Sequence, residues 1–274
     1  MNKKWLSTGS IAAMAMIVAA CGGGSGTNNA PDNTGSNGGN APTEETQTLI
    51  LGTSADYAPF EFHANIDGTN TIVGSDIELA KEIAKDLGAE LQIIDSEFDG
   101  LLMSLNTDKV DMVISGLTAT DDRRQNVLLS DIYYQTSQAV LVKADQADQF
   151  TSEEDLHGKR IGVQLGSIQE GIAEEIDGAV LTSLGKIPEL VMELTSGRVD
   201  AIILESPVGE QYARTQSSLA IAPVEIAEED EGFAVAVKLG EDELMESINA
   251  TIQRLVESGE YEQFVVEANE LLGE

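Results

Sequence analysis

Two segments far apart in the chain carry one pattern, and this pattern most constrains the fold. Lys109-Val110-Asp111-Met112-Val113-Ile114 and Arg198-Val199-Asp200-Ala201-Ile202-Ile203 both read as a basic residue, Val-Asp, and an apolar run. Each follows an amphipathic helical stretch and a loop. A short apolar run bounded in this way reads as a buried strand. Two similar α/β lobes, each on a mainly parallel sheet, would explain the repeat. A chance similarity between buried strands would explain it too, so at this level both explanations stand.

The surrounding elements alternate in the same sense. Strands are expected at 48–52, 90–94, 110–114 and 137–143, with helices at 76–87 and 100–106. Ile77, Ala80, Ile83, Ala84 and Leu87 recur at helical spacing, and Gly88 follows as a stop signal. The alternation then starts again. A short helix is expected at 152–156, where Ser152 and Asp155 suggest a cap. Strands follow at 160–163, 199–204 and 233–237, and helices at 167–175, 187–196 (closed by Gly197) and 206–215. Two acidic amphipathic helices, 242–257 and 259–272, end the chain.

The first residues stand apart from this pattern. Lys3 and Lys4 form a positive start, and the apolar run that follows is too short for a stable membrane span. Val18-Ala19-Ala20-Cys21 resembles a bacterial lipobox, which makes 1–20 a signal peptide and Cys21 the acylated first residue of a mature lipoprotein. An ordinary secretory signal with an incidental cysteine is the alternative, and the position of Cys21 at the expected cleavage site favours the lipobox. Cys21 is the only cysteine, so no internal disulfide supports the fold. Residues 21–46 are rich in Gly, Asn, Ser and Thr, the composition of a flexible tether. The expected place is therefore extracytoplasmic and lipid-anchored.

The formal net charge is −33, from 15 basic and 48 acidic residues. Such acidity argues against nucleic acid and anionic lipid as partners, because both need clustered Lys and Arg. Its plain meaning is the solubility of an extracellular protein. The only histidines, His63 and His157, have no zinc-like spacing, so no metal site is expected. No cofactor is expected, and no P-loop or G-x-S-x-G segment occurs.

One segment carries recognition chemistry. Ile114-Ser115-Gly116-Leu117-Thr118-Ala119-Thr120-Asp121-Asp122-Arg123-Arg124 leaves the end of an expected buried strand. It offers exposed backbone, two hydroxyls and a guanidinium. Arg presents a planar fork that matches a carboxylate. The crevice beyond strand carboxyl ends is where open α/β sheets bind ligands. A solvated surface arginine is the alternative for Arg123.

Six motifs, in order, resemble the polar amino-acid-binding proteins of bacterial ABC importers, the family 3 extracellular solute-binding proteins. They are GTSADYAPFEF (52–62), IVGSDIELAKEIAKDLG (72–88), FDGLLMSL (98–105), KVDMVISGLTATDDRR (109–124), LHGKRIGVQLGSIQE (156–170) and SGRVDAIILESP (196–207). The resemblance covers most of 48–272. It implies an α/β, two-lobed periplasmic-binding-protein-like fold of type II with mainly parallel sheets and two hinge crossovers. Lobe 1 would be 47–134 with 232–272, lobe 2 would be 139–228, and the crossovers would fall near 134–138 and 228–232.

The resemblance also implies a site. Arg123 would pair with a ligand carboxylate, helped by backbone N–H groups of Thr118 and Ile168. Gly166-Ser167-Ile168-Gln169 leads into a helix, whose N-terminus favours anions. The Gly116 carbonyl, the Thr118 hydroxyl and Glu205 would meet the ammonium group, with Glu205 standing where the family usually has Asp. Tyr57 and Phe98 would sandwich the variable side chain, and Gln164 would read it. Ser54 stands where relatives for basic ligands often carry Asp, and Asp56 or Glu61 would be its substitutes. No second Arg or Lys is evident in the expected pocket, which disfavours acidic ligands. Ser75 replaces a usual Phe, which reads as a packing change.

The implied partners are a free polar amino acid, neutral or basic, an ABC transporter permease, and the membrane through an N-terminal lipid. The implied function is capture between the lobes and delivery to that permease, without catalysis. Two rivals remain: a cyclohexadienyl dehydratase-like enzyme on the same fold, and a ligand-binding receptor module for a separate sensor.

Overall fold

The computed structural model describes residues 47–226 and 232–273. The expected signal peptide, Cys21 and the tether lie outside the described residues, as does most of the second expected crossover. The chain forms β1 (Thr48–Thr53), β2 (Asp56–Tyr57), β3 (Glu61–Ile66), β4 (Thr69–Val73), α1 (Ser75–Asp86), β5 (Glu90–Asp95), α2 (Leu101–Asn106), β6 (Met112–Val113), α3 (Asp121–Arg124) and β7 (Val127–Leu129). It continues with β8 (Gln138–Lys143), β9 (Arg160–Gln164), α4 (Ile168–Glu175), β10 (Val180–Leu184), α5 (Ile187–Ser196), β11 (Ala201–Glu205), α6 (Ser206–Thr215) and β12 (Leu219–Ala222). It ends with β13 (Ala236–Lys238), α7 (Asp242–Ser258) and α8 (Glu260–Leu271). No described helix is long and apolar enough to cross a membrane.

Two five-stranded sheets organise these elements, in the orders β5-β1-β6-β13-β7 and β10-β9-β11-β8-β12. In each, the first three strands are parallel, the fourth is reversed, and the fifth is antiparallel to the fourth. Four of the five strands in each sheet therefore point the same way, and their carboxyl ends share one edge. The reversed strands, β8 and β13, are the first of each sheet's strands after the chain crosses between the halves. The late return of β13 to the first sheet makes that half discontinuous in sequence.

The repeated Val-Asp pattern has a common structural cause. Asp111 donates its N–H to the Ile50 carbonyl at 2.8 Å, and its Oδ2 accepts the Ile50 N–H at 2.9 Å. Asp200 does the same with Arg160, at 2.7 and 2.9 Å. Each Asp thus clasps one residue of the neighbouring parallel strand and completes its hydrogen bonds where the ladder begins. The two halves repeat this device, which gives the sequence repeat a shared structural role. The strands themselves differ from those expected: 110–114 narrows to β6, and 199–204 shifts to β11.

Each half has its own buried cluster. Leu101, Leu105, Val110, Val113, Leu117 and Ala236 form one in the first half, and Val140, Leu156, Ile161, Val163, Ala201 and Ile203 form one in the second. In α1, Ile77, Ala80, Ile83 and Ala84 are buried while Lys81 and Lys85 face water, as the helical period predicts. Ser152 and Asp155 form the expected capping box, but the turn they cap is a 3-10 helix, Glu153–Leu156. The expected strand at 233–237 begins later, at Ala236. Phe233 instead makes isolated bridges to Thr118 and Tyr134. The β2-β3-β4 hairpin sheet, β7, β10, β12 and α3 were not expected from the sequence.

Candidate functional site

The strand ends of the two sheets face each other across a narrow cleft lined from both halves. Beyond β6 the chain runs through Ser115 and Gly116 into Thr118. Gly116 has φ +52°, and an added Cβ would sit 3.3 Å from Tyr57. Glycine therefore lets the backbone itself form the cleft floor.

Thr120 caps α3 by accepting the Arg123 N–H at 3.2 Å. That single turn brings Arg123 back over the loop. Its Nη1 donates to the Thr118 carbonyl at 2.7 Å, and its guanidinium lies 5.5 Å from the Phe98 ring centre. Its Nη2 also donates across the cleft, to the Gly166 carbonyl at 3.2 Å. Gly166 has φ +78°, and a Cβ there would approach the Asp99 backbone to 3.2 Å.

The opposite wall belongs to the second half. Ser167 caps α4 by accepting the Glu170 N–H at 3.3 Å, so Ile168 and Gln169 occupy the first turn. N–H groups there have no carbonyl one turn earlier and suit an anion. Gln169 is buried, and its Nε2 donates to Gln138 Oε1 at 2.8 Å. Glu205 ends β11, 3% exposed, and its N–H donates to the Tyr57 hydroxyl at 3.3 Å, again across the cleft. Gln164 ends β9 and donates to the Gly185 carbonyl at 3.3 Å.

Of the ten residues expected to touch the ligand, nine line this cleft: Tyr57, Phe98, Gly116, Thr118, Arg123, Gln164, Ser167, Ile168 and Glu205. Ser54 does not. It is buried behind the lining, donates to Asp56 Oδ1 at 2.9 Å, and accepts from Lys186 Nζ at 3.2 Å. The two proposed substitutes for an acidic Ser54 are also engaged elsewhere. Asp56 Oδ2 accepts the Ile187 N–H of the second half at 2.7 Å. Burial raises the Asp56 carboxyl above its usual range, against the opposing charge of Lys186. Glu61 is fully buried beneath Ser115. Ser75 is also fully buried, where its hydroxyl lies 3.2 Å from that of Tyr261.

Three neighbours of the cleft were missed. Ser115 and Gln169 line it, each beside a residue that was expected. Lys186 crosses from the second half to Ser54, to Asp95 Oδ1 at 3.2 Å and to the Ser96 carbonyl at 3.0 Å. Burial opposes ionisation of Asp95, but the Ala55 N–H, His63 and Lys186 outweigh it and hold the carboxyl below its usual range. One signal for Lys186 lay in the sequence. A cation just before a helix opening with Ile187-Pro188 opposes the helix dipole, so it calls for an outside partner.

The family model for bacterial extracellular solute-binding proteins, family 3, matches residues 49–267. The arginine-binding extracellular protein ArtP of Bacillus subtilis is 38% identical over 95% of this chain and 96% of its own length. A probable histidine-binding protein of Campylobacter jejuni is 31% identical over 96% of this chain and 97% of its own. Among solved structures, the chain is similar to the substrate-binding protein AbpA of an amino acid ABC transporter from Streptococcus pneumoniae, bound to L-arginine. The TM-score is 0.81 and the identity 40%, covering 83% of this chain and 96% of that one.

Proposed function

Because this chain belongs to the bacterial extracellular solute-binding proteins of family 3, we propose that it captures a free polar amino acid, arginine first among them, and delivers it to an ABC transporter permease. One observation carries this reading: Arg123 from the first half and Glu205 from the second line a single cleft together with Tyr57 and Phe98. A zwitterion carries one carboxylate and one ammonium. Arg123 and the α4 N-terminus suit the first, and Glu205 with the Gly116 and Thr118 oxygens suits the second. Aromatic faces suit an aliphatic stem ending in a cation. The relatives named for arginine and histidine favour the basic class.

In this reading, lobes 47–134 with 232–272 and 139–228 close around the ligand about crossovers near 134–138 and 228–232. The ligand touches both lobes only when they are closed, so it stabilises the closed state. The permease then selects that state. Cys21 would hold the protein to the outer face of the membrane by its lipid, with 21–46 as tether. Turnover of the ligand has no part in this reading, and the site residues act by binding.

A thermal-shift screen of the twenty amino acids plus ornithine, citrulline and cystine tests the ligand. At 100 times its dissociation constant, a ligand stabilises by about 2.7 kcal/mol. L-Arginine should give a shift of that order. No shift with any amino acid, or phenylpyruvate formed from prephenate, would overturn the reading.

A further inference from the structure

Two carboxyl groups lie beneath the cleft floor that the proposed clamp leaves unused. Glu61 comes from β3 and Asp76 from the first turn of α1, and both are wholly buried. Glu61 holds Ser115 and Asp76 holds Gly116, so two consecutive residues bring the carboxyl groups together under one stretch of loop. Asp76 Oδ2 accepts the Gly116 N–H at 2.9 Å and the Tyr133 hydroxyl at 2.8 Å, and Oδ1 accepts the Tyr261 hydroxyl at 2.9 Å. Glu61 Oε1 accepts the Ser115 hydroxyl at 2.7 Å, and Ser115 Oγ accepts the Ser54 N–H at 3.0 Å. Glu61 Oε2 is buried with no donor on it.

An ionised Glu61 would leave that oxygen bare and set two like charges together away from water. A proton on Glu61 removes both penalties, because it supplies a donor for Asp76. Burial first, then the Asp76 charge, push the Glu61 carboxyl well above its usual range. Burial also raises Asp76, but its donors, Gly116, Tyr133, Tyr261 and Glu61, oppose that rise. Asp56 adds further negative charge on the Glu61 side, with Lys186 4.0 Å beyond it.

We propose that Glu61 and Asp76 form a buried acid pair sharing one proton, and that this pair positions the Ser115–Gly116 floor for the ligand's ammonium group. Ser115 is held by one member and Gly116 by the other, so consecutive residues are fixed from below. The pair keeps one net negative charge under the ammonium position. Glu61 and Asp76 are positioning residues, and this role rests on reading Gly116 as an ammonium acceptor.

The proton is tested without any ligand, by hydrogen/deuterium difference infrared spectroscopy at neutral pH. The wild type should show a protonated-carboxyl band that Glu61→Gln lacks. Absence of the band, or its survival in that variant, would overturn the shared proton. Positioning is tested by calorimetry with L-arginine and with 5-guanidinopentanoate, which lacks the ammonium. Glu61→Leu should weaken L-arginine about tenfold, the effect of one hydrogen bond to a charged group, and should hardly change the analogue. Glu61→Gln should recover most of the loss, since its amide restores a donor toward Asp76. Equal losses for both compounds would reduce Glu61 to a structural part. If wild type fails to bind L-arginine, the ligand reading falls, the infrared band still decides the pair, and L-histidine with imidazolepropionate replaces the calorimetric probes.

Discussion

Lys186, just before α5, places its ammonium 3.2 Å from Asp95 at the end of β5, and so joins the two halves by an ion pair beside the cleft. Ser54, the Ser96 carbonyl and the more distant Asp56 complete its surroundings. In the proposed reading of two closing lobes, these contacts would favour the closed state before any ligand contributes. Lys186→Met should shift solution scattering toward a more open shape and weaken amino-acid binding about tenfold, or 1.4 kcal/mol. Unchanged scattering and affinity would show that the pair contributes nothing to closure.

Arg123→Ala should remove binding of every amino acid, because the carboxylate is common to all. Truncating one member of a hydrogen-bonded charge pair costs about 2–5 kcal/mol. Calorimetry that finds affinity retained for any amino acid would refute the carboxylate role.

Gly166→Ala examines the closed geometry directly. The new Cβ meets the Asp99 backbone at 3.2 Å and must adopt φ +78°. The second half should still fold, since the residue is exposed between β9 and α4. Affinity should fall at least about tenfold as closure is blocked, while circular dichroism stays unchanged. Wild-type affinity in this variant would mean that ligand is held without this contact.

Tyr57→Phe removes one hydroxyl, the acceptor for the Glu205 N–H, and leaves the ring. The expected loss is about 0.5–1.5 kcal/mol of binding energy. A much larger loss would give the hydroxyl a direct role in ligand contact.

The buried acid pair predicts a pH dependence of folding. In an unfolded chain Glu61 ionises near about pH 4.3, and in the fold burial raises its carboxyl well above that range. Above about pH 4.3 the unfolded chain loses a proton that the native protein keeps, so native stability falls as pH rises. The slope is about 1.4 kcal/mol per pH unit until native Glu61 ionises. Asp95 has the opposite sign: its lowered carboxyl stabilises above about pH 3.9, and that contribution is lost as pH falls further. Urea denaturation between pH 5 and 8 should therefore show a steeper decline for wild type than for Glu61→Gln. Parallel curves would mean that Glu61 is not held neutral.

Much of the site was legible because its parts are local. Thr118, Arg123 and the Gly166–Gln169 turn sit at strand ends and helix starts, where sequence spacing fixes what neighbours what. Ser54 lies off the cleft lining for the opposite reason. Its hydroxyl is claimed by Lys186, 132 residues later in the chain, and no local pattern records that. Glu61 read as a candidate beside the ligand because it is an acid close in sequence to Ser54, where relatives for basic ligands often carry Asp. Only the tertiary structure, with α1 against β3 and Ser115 donating to its carboxyl group, shows that it is buried.

The sequence by itself determined the alternation of strands and helices, the repeated Val-Asp pattern and the chemical type of each cleft residue, since these follow from hydrophobic period and side-chain chemistry. The tertiary structure decided which of those groups face each other: Arg123 with Gly166, Tyr57 with Glu205, Lys186 with Asp95, and Glu61 with Asp76. The physical reason is that charge, burial and proton sharing depend on distance in space. Those distances are set where two sheets, distant in sequence, bring their strand ends to one cleft.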